Sequence, residues 1–535
     1  MSDQAIPQPV NHIADEWCEA TPVADAWNLD PNTLAPVHRA VSTPADEVER
    51  ALRHAEASYD AGPRDQDARR ERAAVLDRVA DNIERRLEDI ARTDALTSGT
   101  PISVTRLVAA FLPHRIRATA ADLRDIPRVT ALAAGGRDVR LHKVPWGPAA
   151  ILTPWNGPSF IPAAKVVSAV AAGCPVVLKP SEHAPGSAQV VVECFVEAGL
   201  PSGALQLVHG AGDVGAQVTG DPRIKVVSFT GGPGAGRAIA RAAAENLTVL
   251  QLELGGNNPV IVLDDADLDV TADGILAGMT KLNGQWCEGP GKVLAPRHLV
   301  GALVDALTER IGKLVVGHSL ADDSQVGPIS NAPHFRTLQE RVEGLRELGA
   351  VVHRPALLPQ LDGYFLSPTV AVGADASRAT AELFGPVVSV HAVDSAEEAL
   401  RIANANPSGL DAYVFGADTD RAIEVGARIV AGEVRVNGAN VADLGDDSAQ
   451  SFWGPQASAA TGPPSPCGSS AASASWESTR RTCPSEHRVA VGPQALAVRF
   501  RRAGSAVTAE SRPVSQASRT EQLMSICARA TDASP

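Results

Sequence analysis

Three side chains of this 535-residue sequence are of types that could share a covalent reaction. Cys287 lies in Gly284-Gln285-Trp286-Cys287-Glu288-Gly289, a short polar segment flanked by glycine that reads as a loop. A thiolate there would be a strong nucleophile, although a lone cysteine is more often a small buried hydrophobe. Glu253 stands inside the apolar run Leu252-Glu253-Leu254, followed by Gly255-Gly256-Asn257-Asn258. Such a carboxyl either pairs locally or is held partly desolvated, where its pKa rises toward what a general base needs. Asn156 lies in Thr153-Pro154-Trp155-Asn156-Gly157-Pro158. Two prolines and a glycine make that a rigid turn, and the amide it presents suits a developing oxyanion. Taken alone, Asn156 reads more plainly as a residue satisfying its own turn.

Two further segments have the composition of a dinucleotide site. Lys179-Pro180-Ser181-Glu182 follows the apolar run Pro175 to Leu178. Strand ends are where cofactors bind in open α/β sheets. Lys179 could hold a ribose hydroxyl or phosphate, and Glu182 could accept from a 2′-hydroxyl and repel a 2′-phosphate. A solvated strand end is the competing reading. In Phe229-Thr230-Gly231-Gly232-Pro233-Gly234-Ala235-Gly236 a strand runs into a helix. Gly231, Gly232 and Gly236 would let the backbone approach a pyrophosphate at the helix N-terminus. Gly210-Ala211-Gly212-Asp213-Val214-Gly215 also matches G-x-G-x-x-G, but no acidic residue follows about 20 positions on. It reads as a plain strand-to-helix turn.

The elements that must carry these residues follow from hydrophobic pattern. Residues 44–98 read as helical, with apolar positions at Ala51, Ala55, Val75, Leu76, Val79, Ile83, Leu87 and Ile90. From Val144 onward short β-prone runs alternate with helical stretches, at Ala149 to Leu152, Pro175 to Leu178, Ala204 to Val208, Val226 to Phe229 and Pro259 to Leu263. A second set follows at Lys292 to Leu294, Val351 to His353, Val387 to His391, Tyr413 to Phe415 and Glu433 to Val436. The pattern predicts two parallel-sheet α/β units with a cleft between them.

Composition excludes other classes. Hydrophobic residues are 44% and charged residues 21% of the chain, as in a soluble globular enzyme. A net charge of −14 argues against a nucleic-acid partner. The longest apolar stretch, Val166 to Leu178, is too short to span a bilayer, and no secretory signal is legible at the N-terminus. The seven cysteines show no paired or metal-ligand spacing, so no metal is expected and a reducing cytoplasmic location is.

No single segment decides the chemistry; their order and spacing do. Pro154-Trp155-Asn156, Lys179-Pro180-Ser181-Glu182, Phe229-Thr230-Gly231 with Gly236, Glu253-Leu254-Gly255-Gly256, Gly284-Gln285-Trp286-Cys287 and Glu382-Leu383-Phe384-Gly385-Pro386 together resemble the NAD(P)-dependent aldehyde dehydrogenase superfamily over about residues 25 to 455. The resemblance implies a nucleotide-binding domain at 25–253 with a bridging hairpin at 126–146, a catalytic domain at 254–455, and a small oligomerisation element. It implies Cys287 as nucleophile, Asn156 and the Cys287 N–H as oxyanion donors, and Glu253 as the base that activates water. It assigns Lys179, Glu182, Gly231, Gly232, Gly236, Leu254, Glu382, Phe384 and Trp155 to the cofactor. Glu382 would hold the nicotinamide ribose, with Phe384 beside the ring. Glu182 favours NAD over NADP. The implied partners are a small-molecule aldehyde and further copies of the chain, as a homodimer or homotetramer.

The chain departs from the family pattern in places. Lys292 stands where an Arg is frequent, Gly157 where a bulky aromatic is common, and Ala164 where some relatives have Trp. The last two suggest a roomy substrate mouth. After Ser451-Phe452-Trp453-Gly454-Pro455-Gln456 the family's closing run is lost. Residues 456–535 are rich in Ser, Ala, Pro and Arg, and only Ala490 to Phe500 reads as strand-forming. The chain uses 41 Arg against 7 Lys, a GC-rich signature, so the tail reads as disordered, out of frame or an unrelated extension. Residues 1–24 read as an N-terminal extension. Two rival readings stay open: a relative that passes its acyl group to coenzyme A, and a dinucleotide-binding protein whose activity went with the lost segment.

Overall fold

A computed structural model describes residues 6–62, 65–134, 137–406, 409–439 and 477–482. Its architecture is α/β, with two seven-stranded sheets as its frame. In the first sheet the strands Val249–Leu254, Val226–Gly231, Ala149–Leu152, Val176–Lys179 and Leu205–Leu207 lie side by side in that order, all parallel. Ala149–Leu152, Val176–Lys179 and Leu205–Leu207 are short and wholly buried, because helices cover both faces. The apolar helix Phe160–Ala172 and the helices Gln66–Arg85 and Ile102–Asp125 share one core with these strands, around Leu76, Ile83, Val166, Val176 and Phe195.

From Ala149–Leu152 the chain works outward to Leu205–Leu207, then returns to pair Val226–Gly231 on the opposite side of its starting strand. That reversal opens a crevice at the strands' carboxyl ends, the usual ligand position in such sheets. The Thr153–Asn156 turn and the Gly231–Gly232 step both leave from this point.

Residues 10–19 correct the sequence reading. Val10–Ile13 pairs antiparallel with Leu205–Leu207, and Glu16–Glu19 pairs beyond it, so this part of the expected extension is an edge of the first sheet. Four-residue strands held by main-chain pairing are too short to show a period.

In the second sheet the order is Val351–His353, Thr369–Val372, Val387–Val393, Pro290–Pro296, Asn258–Val262, Asp411–Phe415 and Glu433–Val436, parallel except for the first. Its core gathers Val260, Ile275, Val293, Leu307, Val390, Tyr413 and Phe415. Both sheets belong to one compact unit. The boundary near residue 254 therefore separates two sheets inside one body.

The hairpin of Val129–Ala134 and Arg137–Pro145 stands apart as a small sheet, and Glu477–Thr482 adds to it antiparallel, opposite Arg140 to Pro145. This second correction falls within the expected tail. An edge strand needs only backbone pairing, which composition does not register. The strand expected at Ala490 to Phe500 and the break at Ser451 to Pro463 lie outside the described residues. Among the described residues no helix is long and apolar enough to cross a membrane.

Candidate active site

Cys287 is placed by a loop that enters the amino end of strand Pro290–Pro296. The turn before it is tightly determined. Leu282 and Asn283 take φ of 48° and 58°, and Gly284 follows at 70°. A Cβ on Gly284 would stand 2.2 Å from the Gly385 carbonyl carbon, so only glycine fits against the Glu382–Pro386 segment. Asn283 donates to the carbonyls of Gly99 and Pro328 at 2.8 and 3.0 Å, and Gln285 Oε1 accepts from Ser330 N–H at 2.9 Å. Backbone conformations this costly persist where surrounding structure holds them, commonly at functional sites.

Asn258 closes the loop from the other side. Its amide donates to the carbonyls of Cys287 and Gly289 at 2.8 and 2.9 Å, and its oxygen accepts from Asp411 N–H at 3.3 Å. Asn258→Ala leaves those buried acceptors short of a donor and should cost about 2–3 kcal/mol of stability. Denaturant midpoints of the two proteins measure it, and an unchanged midpoint would contradict this role.

Glu253 is the penultimate residue of Val249–Leu254, at the carboxyl end of the first sheet. Its Oε1 accepts from Lys165 Nζ at 2.6 Å, and its Oε2 from Thr230 Oγ1 at 3.3 Å. The carboxyl is thus paired, with a lysine 88 residues before it in the chain. Lys165 is a buried residue of the apolar helix Phe160–Ala172 and also reaches Gln251 at 3.3 Å. Sequence reasoning passed over it; a single lysine within an apolar helix was the signal. The end of one sheet thus faces the start of the other.

Electrostatics tie these groups together. Burial pushes the half-buried Cys287 thiol well above its ordinary value, and the charges of Glu288, Glu253 and Glu382 push it further. The charges of Cys287 and Glu253 therefore act on one another. Asn156 Nδ2 donates to the Gln285 carbonyl at 2.8 Å, which sets the amide against the Cys287 loop. Trp155 packs on His334 at 5.0 Å and edge-on to Phe384 at 5.5 Å, and the Phe384 carbonyl lies 2.7 Å from His334 Nε2. Burial holds His334 down to about 4, so it is neutral at physiological pH. Phe384 has φ of 50°.

Glu382 reaches the Gly255-Gly256 turn after Glu253. A Cβ on Gly255 would lie 2.0 Å from Glu382 Oε1, and that oxygen has no hydrogen-bond partner among the described residues. Burial raises its carboxyl to about 7, against Arg341 and a Gly256 backbone bond. A buried carboxyl oxygen left open in this way suits a ligand hydroxyl.

The remaining predicted cofactor residues surround the crevice. Lys179 Nζ donates to Gly210 O at 2.5 Å and Pro180 O at 3.1 Å, and lies 3.9 Å from Glu182. Burial lowers its pKa, while Glu182 and Asp213 act to raise it. The turn at Gly210 to Gly215, set aside from its sequence, thus borders the site. Gly231 ends its strand and Gly232 caps the helix Pro233–Asn246. A Cβ on Gly232 or Gly234 would meet nothing within 4 Å, which leaves the helix N-terminus open to an anion. Gly236 is needed for packing instead, since a Cβ there would stand 2.7 Å from Leu254 Cδ2.

Residues 17–464 match the profile of the aldehyde dehydrogenase family. The chain belongs to that family. Among curated relatives it is 36% identical over 372 residues to geranial dehydrogenase of Castellaniella defragrans, covering 69% of this chain and 78% of that one. It is 33% identical over 440 residues to the 3-succinoylsemialdehyde-pyridine dehydrogenase of a Pseudomonas species, covering 80% and 90%. Betaine aldehyde dehydrogenase of Staphylococcus aureus, solved in complex with NAD+, superposes with a TM-score of 0.82 at 26% identity, covering 90% of this chain and 95% of that one. An NAD-dependent aldehyde dehydrogenase of Sinorhizobium meliloti gives 0.83 at 27% identity, covering 91% and 97%. The family assignment makes the chain an oxidoreductase acting on aldehydes.

Proposed function

We propose that the protein oxidises an aldehyde to a carboxylic acid with NAD, through a thioester on Cys287. The observation that carries this reading is the Asn156 amide bonded to the Gln285 carbonyl of the Cys287 loop, with Glu253 held by Lys165 at the carboxyl end of the first sheet. The Cys287 thiol loses its proton to solvent water, and the thiolate sulfur attacks the carbonyl carbon, whose π electrons move onto the oxygen. The oxyanion of the resulting thiohemiacetal falls to the Asn156 amide and the Cys287 N–H. Removing one such donor costs roughly 2.7–4 kcal/mol of transition-state stabilisation in comparable sites. Bound NAD supplies the hydride acceptor. Glu253, oriented by Lys165, then takes a proton from the water that attacks the thioester, releasing the acid and the thiol.

The crevice suits the dinucleotide. The open helix N-terminus at Gly231–Gly232 would take the pyrophosphate, and Lys179 with Glu182 the adenine-side ribose. Glu382 would take the nicotinamide ribose, with Trp155, Leu254 and Phe384 walling the cofactor. A carboxylate at Glu182 disfavours a 2′-phosphate, hence NAD. In this reading residues 25–253 form the nucleotide-binding domain and 254–455 the catalytic domain. The hairpin sheet serves assembly of a homodimer or homotetramer in the cytoplasm. Gly157 and Ala164 leave little bulk after Asn156, which favours a large aldehyde; the relatives' substrates, geranial and a pyridine semialdehyde by their names, point the same way.

NADH absorbance followed across aldehydes of graded size tests the reading. Turnover with NAD, free acid as product and preference for bulky substrates are expected. Acyl-CoA formed on adding coenzyme A would favour the acyl-transferring relative, and NAD binding without turnover the inactive one.

A further inference from the structure

Among the described residues Glu288, Asp411 and Glu433 each bring a carboxylate oxygen within 4.8 Å of the others. A buried guanidinium lies among them. Arg435 Nη2 stands 2.5 Å from Glu288 Oε2 and 3.3 Å from Glu433 Oε2, and Arg435 Nε 3.1 Å from Asp411 Oδ2. The chain itself supplies a cation among these three carboxylates.

The same cluster grips the nucleophile loop. Tyr413 Oη donates to the Glu288 carbonyl, and Asn258 donates to the carbonyls on either side of it. Three strands, Asn258–Val262, Asp411–Phe415 and Glu433–Val436, therefore each send one side chain to residues 287–289. Arg435 pairs with the Glu288 carboxylate, which follows the sulfur-bearing residue directly. That carboxylate is the largest single charge opposing ionisation of the Cys287 thiol, ahead of Glu253 and Glu382. The other cation on the loop is Lys281, whose ammonium lies 4.2 Å over the Trp286 ring and is pushed down to about 8 by burial.

We infer that Arg435 is a positioning residue for the nucleophile: by pairing Glu288 it fixes the Cys287–Gly289 loop and neutralises the carboxylate adjacent in the chain to the reacting sulfur. This rests on Cys287 being that sulfur. An arginine here gives the loop a bidentate-capable, permanently charged anchor in place of a titrating one. Removing it takes the guanidinium away from Glu288 in a partly desolvated site, with Asp411 and Glu433 behind it and Lys281 as the cation that still acts on it.

The test is the pH dependence of alkylation by iodoacetamide, in which the Cys287 thiolate displaces iodide from carbon. It is run on the full-length protein and read by mass at residue 287, beside kcat/KM for an aldehyde. In Arg435→Met the midpoint should move up by roughly one pH unit, a tenfold loss of thiolate at a fixed pH below it. In Glu288→Gln alone it should move down, and in the double variant Arg435→Met/Glu288→Gln it should return toward the wild-type value. Arg435→Lys should recover part of the single-variant loss. If Arg435→Met does not fold, the Glu288→Gln shift still decides, because an unmoved or raised midpoint there overturns the inference. A midpoint unchanged in Arg435→Met, or a double variant no better than the single one, overturns it too and leaves Arg435 as a packing residue. Cys287→Ser separates the two levels of the argument: labelling and turnover that persist in it refute Cys287 as the reacting sulfur, whereas labelling that needs Cys287 but ignores Arg435 and Glu288 refutes only the positioning role.

Discussion

Replacing Cys287 by serine is expected to lower aldehyde oxidation on the order of 10⁴-fold or more, as loss of a covalent nucleophile does elsewhere. Serine differs by one atom and keeps the loop's backbone bonds to Asn258, so the fold should be retained. What is lost is an ionisable sulfur. The thiol already ionises with difficulty, because burial and three carboxylates raise its pKa. A serine hydroxyl is intrinsically far less acidic than a thiol, so far less of it is ionised at any working pH. The check is steady-state NADH formation beside NAD binding by calorimetry. Unchanged binding with turnover gone is the expected pattern; residual turnover within tenfold of wild type would refute the thioester route. The sign of the thiol shift also fixes a trend. Because the pKa is raised, the thiolate fraction of the free protein should be small at neutral pH and climb as pH rises above the ordinary thiol range.

Glu253→Gln should separate the two halves of the reaction. Acylation of Cys287 needs the sulfur, the Asn156 donor and the bound cofactor; deacylation needs a base for water. A single turnover of NADH should therefore appear at near-normal amplitude and then stall, with steady-state turnover down roughly 10²–10⁴-fold. Glutamine is the right probe because Lys165 is buried, and breaking a buried pair by deleting one partner costs roughly 3–5 kcal/mol. The glutamine carbonyl and Gln251 Oε1, 3.3 Å from Lys165 Nζ, still offer acceptors. Rapid mixing resolves the burst, and mass measurement of the acyl-enzyme confirms it. Full steady-state turnover would remove Glu253 from its assigned role, and absence of any burst would move it to the acylation step.

The elements built from local pattern were legible. Ala149–Leu152, Val351–His353 and Glu433–Val436 begin and end where their β-prone runs do. Strands such as Val10–Ile13, Thr369–Val372 and Glu477–Thr482 were not, since neighbours and main-chain pairing decide them rather than their own side chains. Lys165 and Asn258 were missed for a related reason. Each matters through a partner far along the chain, Glu253 at a separation of 88 and Cys287 at 29, and a single sequence without its fold carries no such pairing.

The primary structure already held the reaction class, because the types and order of Asn156, Lys179, Glu182, Glu253, Cys287 and Glu382 are chemical facts that survive any folding detail. It also held the two-sheet frame, because short apolar runs alternating with helices have few other ways to bury themselves. Only the folded chain decided how strongly each group is tuned. The Lys165 pairing of Glu253, the open oxygen of Glu382, the raised thiol and the arginine among three carboxylates all depend on burial and on distances between segments, and both exist only once the two sheets meet end to end.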